Sequence, residues 1–243
     1  MNARRSQSGF SLIELAVVLV IVGLLVGGGI AALNSATQQT RRIEAERQLQ
    51  HVRNALYGYA MSEGRLPCPD TTYPPDGTED CGGGAEGGAV PWTELGGLGR
   101  RDPWGSPLRY RVDRNSPDFA DPAADQNNPA FGIGPTENGS ITVRDADNSN
   151  ITTDSPAVVV SYGPQGSQIW TDSGFTCIAA GTDGFSEDEN ENCDDDNTFV
   201  AAEPRPPDVP NPTAVGGGRF DDVIIWIPTP VLKARMVDAG LLP

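Results

Sequence analysis

The sequence has 243 residues, and 33 acidic against 17 basic side chains give it a formal net charge of −16 at pH 7. A surface this acidic argues against nucleic acid or anionic lipid as a partner of the soluble part. With 29 Gly, 21 Pro and 7% aromatic residues, the composition indicates long loops on a modest sheet rather than a helical bundle.

The first predicted element is an apolar helix close to the N-terminus. A leader with Arg4 and Arg5 precedes it, and between residues 10 and 30 the only ionisable side chain is Glu14. At a rise of about 1.5 Å per residue, this run spans roughly 30 Å, which is the thickness of the hydrocarbon core of a bilayer. The run therefore predicts a transmembrane helix, with the two Arg on the cytoplasmic side and the bulk of the chain on the other.

The single carboxylate in this run is its most informative residue. A charge inside lipid costs on the order of 2.5–3.5 kcal/mol, so we expect Glu14 to have a partner. If the chain is cut after Gly9, the new α-amine of Phe10 lies one helical turn away, and the amine of a neighbouring copy could take the same place. Two alternatives stay open: Glu14 is protonated near the end of the span, or the segment is an ordinary secretory signal cut near Ala31.

The stretch Gly9-Phe10-Ser11-Leu12-Ile13-Glu14-Leu15, after a short basic leader and before a long apolar run, resembles the class III signal of type IV pilins and type II secretion pseudopilins. The resemblance implies that a membrane prepilin peptidase cuts after Gly9 and N-methylates Phe10. It also implies that Glu14 guides an incoming subunit into a growing filament. The implied partners are other pilins or pseudopilins, which bind through the N-terminal helix, the peptidase itself and an inner-membrane assembly platform.

The helix is predicted to continue beyond the membrane as an amphipathic segment to residue 63. Leu49, Val52, Leu56 and Tyr59 recur at steps of three and four residues, which gives one apolar stripe. Gly64 follows as a helix stop, because glycine readily adopts the left-handed conformation that ends helices. The stripe requires a sheet to pack on.

These elements divide the chain into four predicted parts. They are a leader (1–9), a transmembrane or assembly half of the helix (10–30), an amphipathic half (31–63) and a globular domain outside the cytoplasm (64–243). The predicted fold class is α+β, with the long N-terminal helix packed on a small antiparallel β-sheet and many loops. This arrangement is also the pilin-like one that the resemblance implies.

Three strands of the globular domain can be predicted from local patterns. Residues 109–112 alternate Arg with Tyr and Val, which predicts a half-buried strand. The β-branched run at 157–162 predicts a central strand that is covered on both faces. Residues 220–227 form the last predicted strand, and Thr229 is expected to cap a terminal helix that Gly240 stops.

The four cysteines all lie on the exterior side of the predicted span, where disulfides persist. Four cysteines allow three connectivities. We favour Cys68–Cys81 and Cys177–Cys193, because each pair closes a short irregular loop that has little else to hold it. A zinc site is the alternative, but the chain has no C-x-x-C pair and His51 is its only histidine.

The segment 183–196 is strongly acidic and contains no base. Such a loop repels itself unless it is solvated or neutralised, and calcium is the natural counter-ion because it accepts six to eight oxygens in flexible geometry. Asp194, Asp195 and Asp196 are the candidate ligands, although no ligand spacing identifies a site. The alternative is a solvated acidic loop that is held by the Cys177–Cys193 disulfide.

No catalytic constellation can be recognised, so we expect no enzymatic activity and, apart from calcium, no cofactor. The resemblance implies a structural subunit, a minor pilin or pseudopilin, of a type IV pilus or type II secretion pseudopilus. Such a subunit starts as a single-pass protein of the inner membrane of a Gram-negative bacterium, with its globular domain in the periplasm, and then joins the filament. The alternative is a membrane-tethered exported binding or adhesive domain that does not polymerise.

Overall fold

The computed structural model describes residues 11–171, 174–179, 181, 185–205 and 218–243, with the backbone alone for residues 25–35. Its helices and strands are α1 (Leu12–Glu63), β1 (Gly87–Ala89), β2 (Arg109–Val112), β3 (Ile141–Arg144), β4 (Asn150–Ser155), β5 (Ala157–Ser161), α2 (Gly166–Ile169), β6 (Trp170–Thr171), β7 (Gly174–Phe175), α3 (Glu187–Glu191), β8 (Thr198–Val200), β9 (Val223–Ile227) and α4 (Thr229–Asp238). The fold class is α+β, as predicted. The chain divides into two units, Met1–Arg41 and Arg42–Pro243.

The first unit contains the N-terminal part of α1. Between Leu12 and Leu24, the large apolar side chains are each 47 to 91% exposed. Glu14 is the only ionisable residue in that stretch. Among the residues with a described structure, no helix has both the length and the apolarity needed to cross a membrane.

The second unit begins with the amphipathic part of α1. Ala45, Leu49, Val52, Leu56 and Ala60 are almost fully buried, and their spacing of three and four residues places them on one face. They form one side of the main hydrophobic core. The predicted stripe is therefore confirmed for Leu49, Val52 and Leu56, whereas Tyr59 is only partly buried against the same core.

Helix α1 ends at Glu63, where the sequence predicts its end. Gly64 has a φ of +75°, and a Cβ atom at this position would lie 2.2 Å from the carbonyl oxygen of Asp125. No other residue fits this turn, because a side chain would meet both the strained backbone conformation and the backbone of the neighbouring loop.

A four-stranded antiparallel sheet packs on this part of α1, with the strand order β1-β2-β5-β9. Strand β5 lies between β2 and β9, and all five of its residues are buried. The prediction of a central strand covered on both faces is thus confirmed. Tyr110 of β2 and Ile225 of β9 contribute to the core under α1, and Leu232 and Met236 of α4 complete that core.

The rest of the domain differs from the single antiparallel sheet that the sequence predicts. A second sheet has the order β4-β3-β8, in which β3 and β8 are parallel, and β6 and β7 form a short antiparallel pair. These strands pack a second core against the other face of β5, around Tyr162, Ile169 and Phe199. The additional sheets were missed because their strands are short and because β8 lies far along the chain from its partner β3.

The C-terminal elements begin slightly later than predicted. Phe220 pairs with Arg205 in an isolated bridge, so β9 starts only at Val223. Thr229 is the first residue of α4 rather than its cap, and its hydroxyl donates to the carbonyl of Asp154. Gly240, with a φ of +76°, follows the end of α4, as predicted.

Candidate assembly and processing site

The predicted processing residues, Gly9 and Phe10, lie outside the described part of the chain. The predicted assembly residue, Glu14, is described in the first turn of α1. The amide of Glu14 donates to Ser11 Oγ at 3.2 Å, and the amide of Ser11 donates to Glu14 Oε2 at 3.4 Å. This reciprocal pair is a capping box, which satisfies two of the free amides at a helix start.

Ser11 is a residue that the sequence analysis missed, although the signal was present. A serine followed three residues later by glutamate, just before an apolar run, is the capping-box pattern. The side chain of Glu14 therefore reaches back towards the N-terminus of its own helix. Among the described residues, no basic group forms an ion pair with it.

Both favoured disulfides are present, and the first lies beside a partly buried ion pair. Cys68 and Cys81 are bonded, and the loop between them contains Glu79, which forms the ion pair. Its carboxylate accepts 2.8 Å and 2.6 Å hydrogen bonds from the guanidinium of Arg65, and it accepts others from the Cys68 amide and the Tyr59 hydroxyl. Burial would raise the pKa of Glu79, but these hydrogen bonds outweigh burial and the pKa is lowered.

The second disulfide, Cys177–Cys193, precedes the three candidate calcium ligands. The side chain of Asp195 forms ion pairs with Arg109 and Arg111 of strand β2. Asp194 and Asp196 are exposed. Within the described residues, these three carboxylates do not form a group of metal ligands. The counter-ions of Asp195 are the two guanidinium groups.

This contact corrects the prediction of a half-buried strand at residues 109–112. All four residues of β2 are buried, including Arg109 and Arg111. The Arg109 guanidinium lies 3.9 Å from the centroid of the Phe175 ring, and Arg111 also pairs with Glu86. The expected solvent-facing side is instead covered by acidic and aromatic side chains that are distant in the sequence.

A different set of carboxylates comes together where the second disulfide loop meets the residues before β9. Oxygen atoms of Glu189, Asp221 and Asp222 all lie within 4.8 Å of one another. Glu189 and Asp222 are buried, whereas Asp221 is half-buried. The only other described group of three potential ligands contains the bonded Cys68 and Cys81, so this carboxylate cluster is the arrangement that could hold a cation such as calcium.

Few basic groups and hydrogen-bond donors of the protein offset the negative charge of this cluster. Arg219 Nε lies 2.8 Å from Asp221 Oδ2 and 3.9 Å from Glu189 Oε1. Asn192 donates to Asp222 Oδ2 at 2.8 Å, whereas the buried Asp221 Oδ1 accepts no hydrogen bond from a described residue. One guanidinium therefore pairs with these carboxyl groups, while a second, that of Arg42, donates to the backbone carbonyls of Asp221 and Asp222.

The pKa values of all three carboxyl groups in the cluster are raised. Burial, followed by repulsion from Asp221, raises the pKa of Glu189 to about 7. Burial also raises the pKa of Asp221 to about 6, and the pKa of Asp222 lies well above its ordinary range because of burial and both neighbours. The cluster thus retains protons at a pH where exposed carboxyl groups are fully ionised.

Comparisons with known proteins match the N-terminal segment to one family and a longer part of the chain to one relative. The family described as "Prokaryotic N-terminal methylation motif" matches residues 4–30. The chain is also 32% identical over 111 residues to the type II secretion system core protein G of Pseudomonas aeruginosa, a match that covers 44% of this chain and 75% of that protein. No solved structure matches the chain.

Proposed function

Because the chain belongs to the family of type IV pilins and type II secretion pseudopilins, we propose that it is a minor pilin or pseudopilin that assembles into a filament through its N-terminal helix. The family assignment implies a structural subunit. The finer assignment, to a minor position, is supported by the globular part, which carries two further sheets and long loops that a closely packed shaft would have to accommodate.

The observation that carries this proposal is the exposed apolar surface of the first unit. Every large apolar side chain from Leu12 to Leu24 is at least 47% exposed, and only Glu14 interrupts the run. A surface of this kind is stable only against lipid or against similar helices. We infer that residues 10–30 cross the inner membrane before assembly and pack with other subunits afterwards.

If residues 10–30 cross the inner membrane, the leader and the globular domain lie on opposite sides of it. The leader, residues 1–9, would lie in the cytoplasm and be removed after Gly9 by a prepilin peptidase, which would also methylate the amine of Phe10. Residues 64–243 would fold in the periplasm of a Gram-negative cell, where the disulfides Cys68–Cys81 and Cys177–Cys193 are stable. The relative is named as a core protein of the type II secretion system, so the pseudopilus of that system is the first machine to test.

The capping box suggests how Glu14 would act in assembly. Its carboxylate already contacts the amide of Ser11, which is the peptide nitrogen next to Phe10. A free α-amine on Phe10 would therefore arise close to this carboxylate, either in the same chain or on a neighbouring copy. In an apolar setting such a pair would offset the cost of burying both charges.

Mass spectrometry of the protein from cells tests the processing step. The expected N-terminus is N-methylated Phe10 in a chain that lacks residues 1–9. A chain that begins at Met1, or at a residue after the apolar run, would contradict the proposed processing.

Three variants separate the charge of Glu14 from its role as a helix cap. Glu14→Leu removes both, Glu14→Gln keeps an oxygen that can accept from Ser11 but removes the charge, and Ser11→Ala weakens the cap alone. We expect Glu14→Gln to lose filament incorporation as fully as Glu14→Leu, while Ser11→Ala retains most of it. Glu44→Gln, on an exposed part of α1, is the matched control. Normal incorporation of Glu14→Gln would contradict the proposed role of the charge.

A further inference from the structure

Strand β9 is the last strand of the four-stranded sheet, and one of its edges is open. It pairs with β5 on one side, and no strand among the described residues pairs with its other side. Its sequence, Val-Ile-Ile-Trp-Ile, contains no charge, proline or glycine. Natural proteins usually protect an edge with such residues or cover it, because free backbone amides and carbonyls attract another strand.

A groove of about 640 Å³ runs beside this open edge. Its apolar floor is formed by Ile224 and Trp226 of β9, Ile151 of β4 and the adjoining Ala201 and Ala202. Ile151 is 46% exposed, and Ile224 and Trp226 are only partly buried. The two β9 residues are two positions apart and therefore face the same side of the sheet.

The rim of the groove carries an excess of negative charge. Both arginines on the rim are already paired, Arg42 with Glu46 and Arg205 with Asp188. Three further carboxylates on the rim form no ion pair with a described residue; they are Asp145, Asp147 and Glu203. Asp222 also lines the groove, but it is buried and accepts a hydrogen bond from Asn192. The charges that remain available to a partner are thus negative.

We propose that the open edge of β9 and this groove form a docking site for an extended segment of another protein that has an apolar centre and cationic residues at both ends. The segment adds to the sheet as a fifth strand. Its backbone pairs with the free edge, its apolar side chains cover Ile151, Ile224 and Trp226, and its cationic side chains meet the rim. The site lies wholly within the Arg42–Pro243 unit and does not rest on the proposed filament role.

A labelled peptide with Val at its central positions and Lys at both ends tests this site on the full-length chain in non-ionic detergent. We expect it to bind, and to bind more weakly when salt is raised from about 50 mM to about 300 mM, because the rim contacts are exposed. A peptide with Glu in place of Lys, and a Lys-Val peptide with Pro at central positions, should bind at least about tenfold more weakly. Hydrogen exchange should slow in the fragment that contains Val223–Ile227.

Groove variants assign the binding to this surface. The double variant Asp147→Asn and Glu203→Gln removes two rim charges with little change in shape, and we expect about fivefold weaker binding. Ile224→Lys should abolish binding by placing a charge at the open edge. Glu94→Gln, at an exposed acid outside the groove, is the matched control, and thermal melting shows that each variant is folded.

Several results would overturn the proposal. These are equal binding of the control peptides, binding that neither groove variant weakens, and unchanged exchange in β9. Self-association of the full chain that Ile224→Lys removes would assign the edge to a second copy, and would overturn the proposal as well.

Discussion

The two disulfide-closed loops bury carboxylates in opposite ways. In the first loop, Glu79 meets a guanidinium, a hydroxyl and a backbone amide, and its pKa is lowered. Beside the second loop, Glu189 and Asp222 meet each other and Asp221, and the pKa values of all three are raised. The covalent closure is similar, so the difference lies in the charges that surround each carboxylate.

This difference shows in which loop the protein itself balances the buried negative charge. Glu79 is balanced inside the fold by Arg65, so the first loop needs no additional ion. The carboxylate cluster has three acidic groups and one paired arginine, Arg219, since Arg42 reaches only the backbone carbonyls of Asp221 and Asp222. The cluster must therefore keep protons, bind a cation or lose stability. The two loops should therefore respond differently to mutation, to pH and to calcium.

The largest expected effect comes from breaking the balanced pair. Glu79→Ala removes four hydrogen bonds to a carboxylate and leaves the partly buried Arg65 without its counter-charge, so we expect the free energy of unfolding to fall by about 3 kcal/mol at neutral pH. Urea unfolding followed by tryptophan fluorescence measures this loss. The double variant Glu79→Ala and Arg65→Ala should be less destabilised than the sum of the single variants, because no unpaired charge remains. Additive losses would show that the two residues act independently.

The pH dependence of this pair has the ordinary sign for a salt-bridged acid. The pKa of Glu79 is lower in the folded chain than in the unfolded chain, so its contribution is present above the ordinary value near 4.5. That contribution is lost as the pH falls through the lowered pKa.

The carboxylate cluster should show the opposite behaviour. The folded chain holds the proton of Glu189 up to about pH 7, whereas the unfolded chain releases it near 4.5, so stability falls as the pH rises through this window. Glu189→Gln removes the titration while keeping an oxygen that can accept from the Ser186 amide. In the presence of a chelator, we expect the variant to gain about 2 kcal/mol over the natural chain at about pH 8 and almost nothing below pH 4.5.

Melting curves of the full chain in detergent across this pH range measure the gain. Glu187→Gln, at an exposed acid in the same short helix, is the matched control and should show no such trend. A constant difference between Glu189→Gln and the natural chain at every pH would mean that Glu189 is not the titrating group.

The two loops also differ in how much the sequence could predict. Both disulfides could be predicted because each closes a short loop, and the end of α1 could be predicted from Gly64, since both signals are local. The burial of Arg109 and Arg111 could not, because their partners, Asp195 and Phe175, lie more than sixty residues along the chain. The alternation of residues 109–112 describes a strand but does not reveal that a distant loop covers its charged face.

The candidate site also contains one feature that the sequence could predict and one that it could not. The capping box of Ser11 and Glu14 is a local pattern and could have been found from the sequence. The carboxylate cluster joins α3 to the residues before β9, across about thirty positions, and only the fold brings these groups together. The candidate ligands Asp194–Asp196 do not come together among the described residues, because a run of acids in sequence does not determine which carboxylates converge.

The smallest expected effect is stabilisation by calcium. It distinguishes the two loops because only the second is expected to bind the ion. Calcium at about ten times its dissociation constant should stabilise the natural chain by about 1.4 kcal/mol at about pH 8. At about pH 5 the effect should vanish, because protons already occupy the cluster. Magnesium, which demands stricter octahedral geometry, should stabilise less.

Melting temperatures with calcium and with a chelator measure this effect, and two variants assign it to one loop. Glu189→Gln should lose the response to calcium, since one of its three carboxylates is gone, whereas Glu79→Gln should keep it. If calcium leaves the natural chain unchanged at pH 8, Arg219 is a sufficient counter-charge and the second loop is as complete as the first. A response that Glu189→Gln retains would instead place the ion on other carboxylates of this acidic chain.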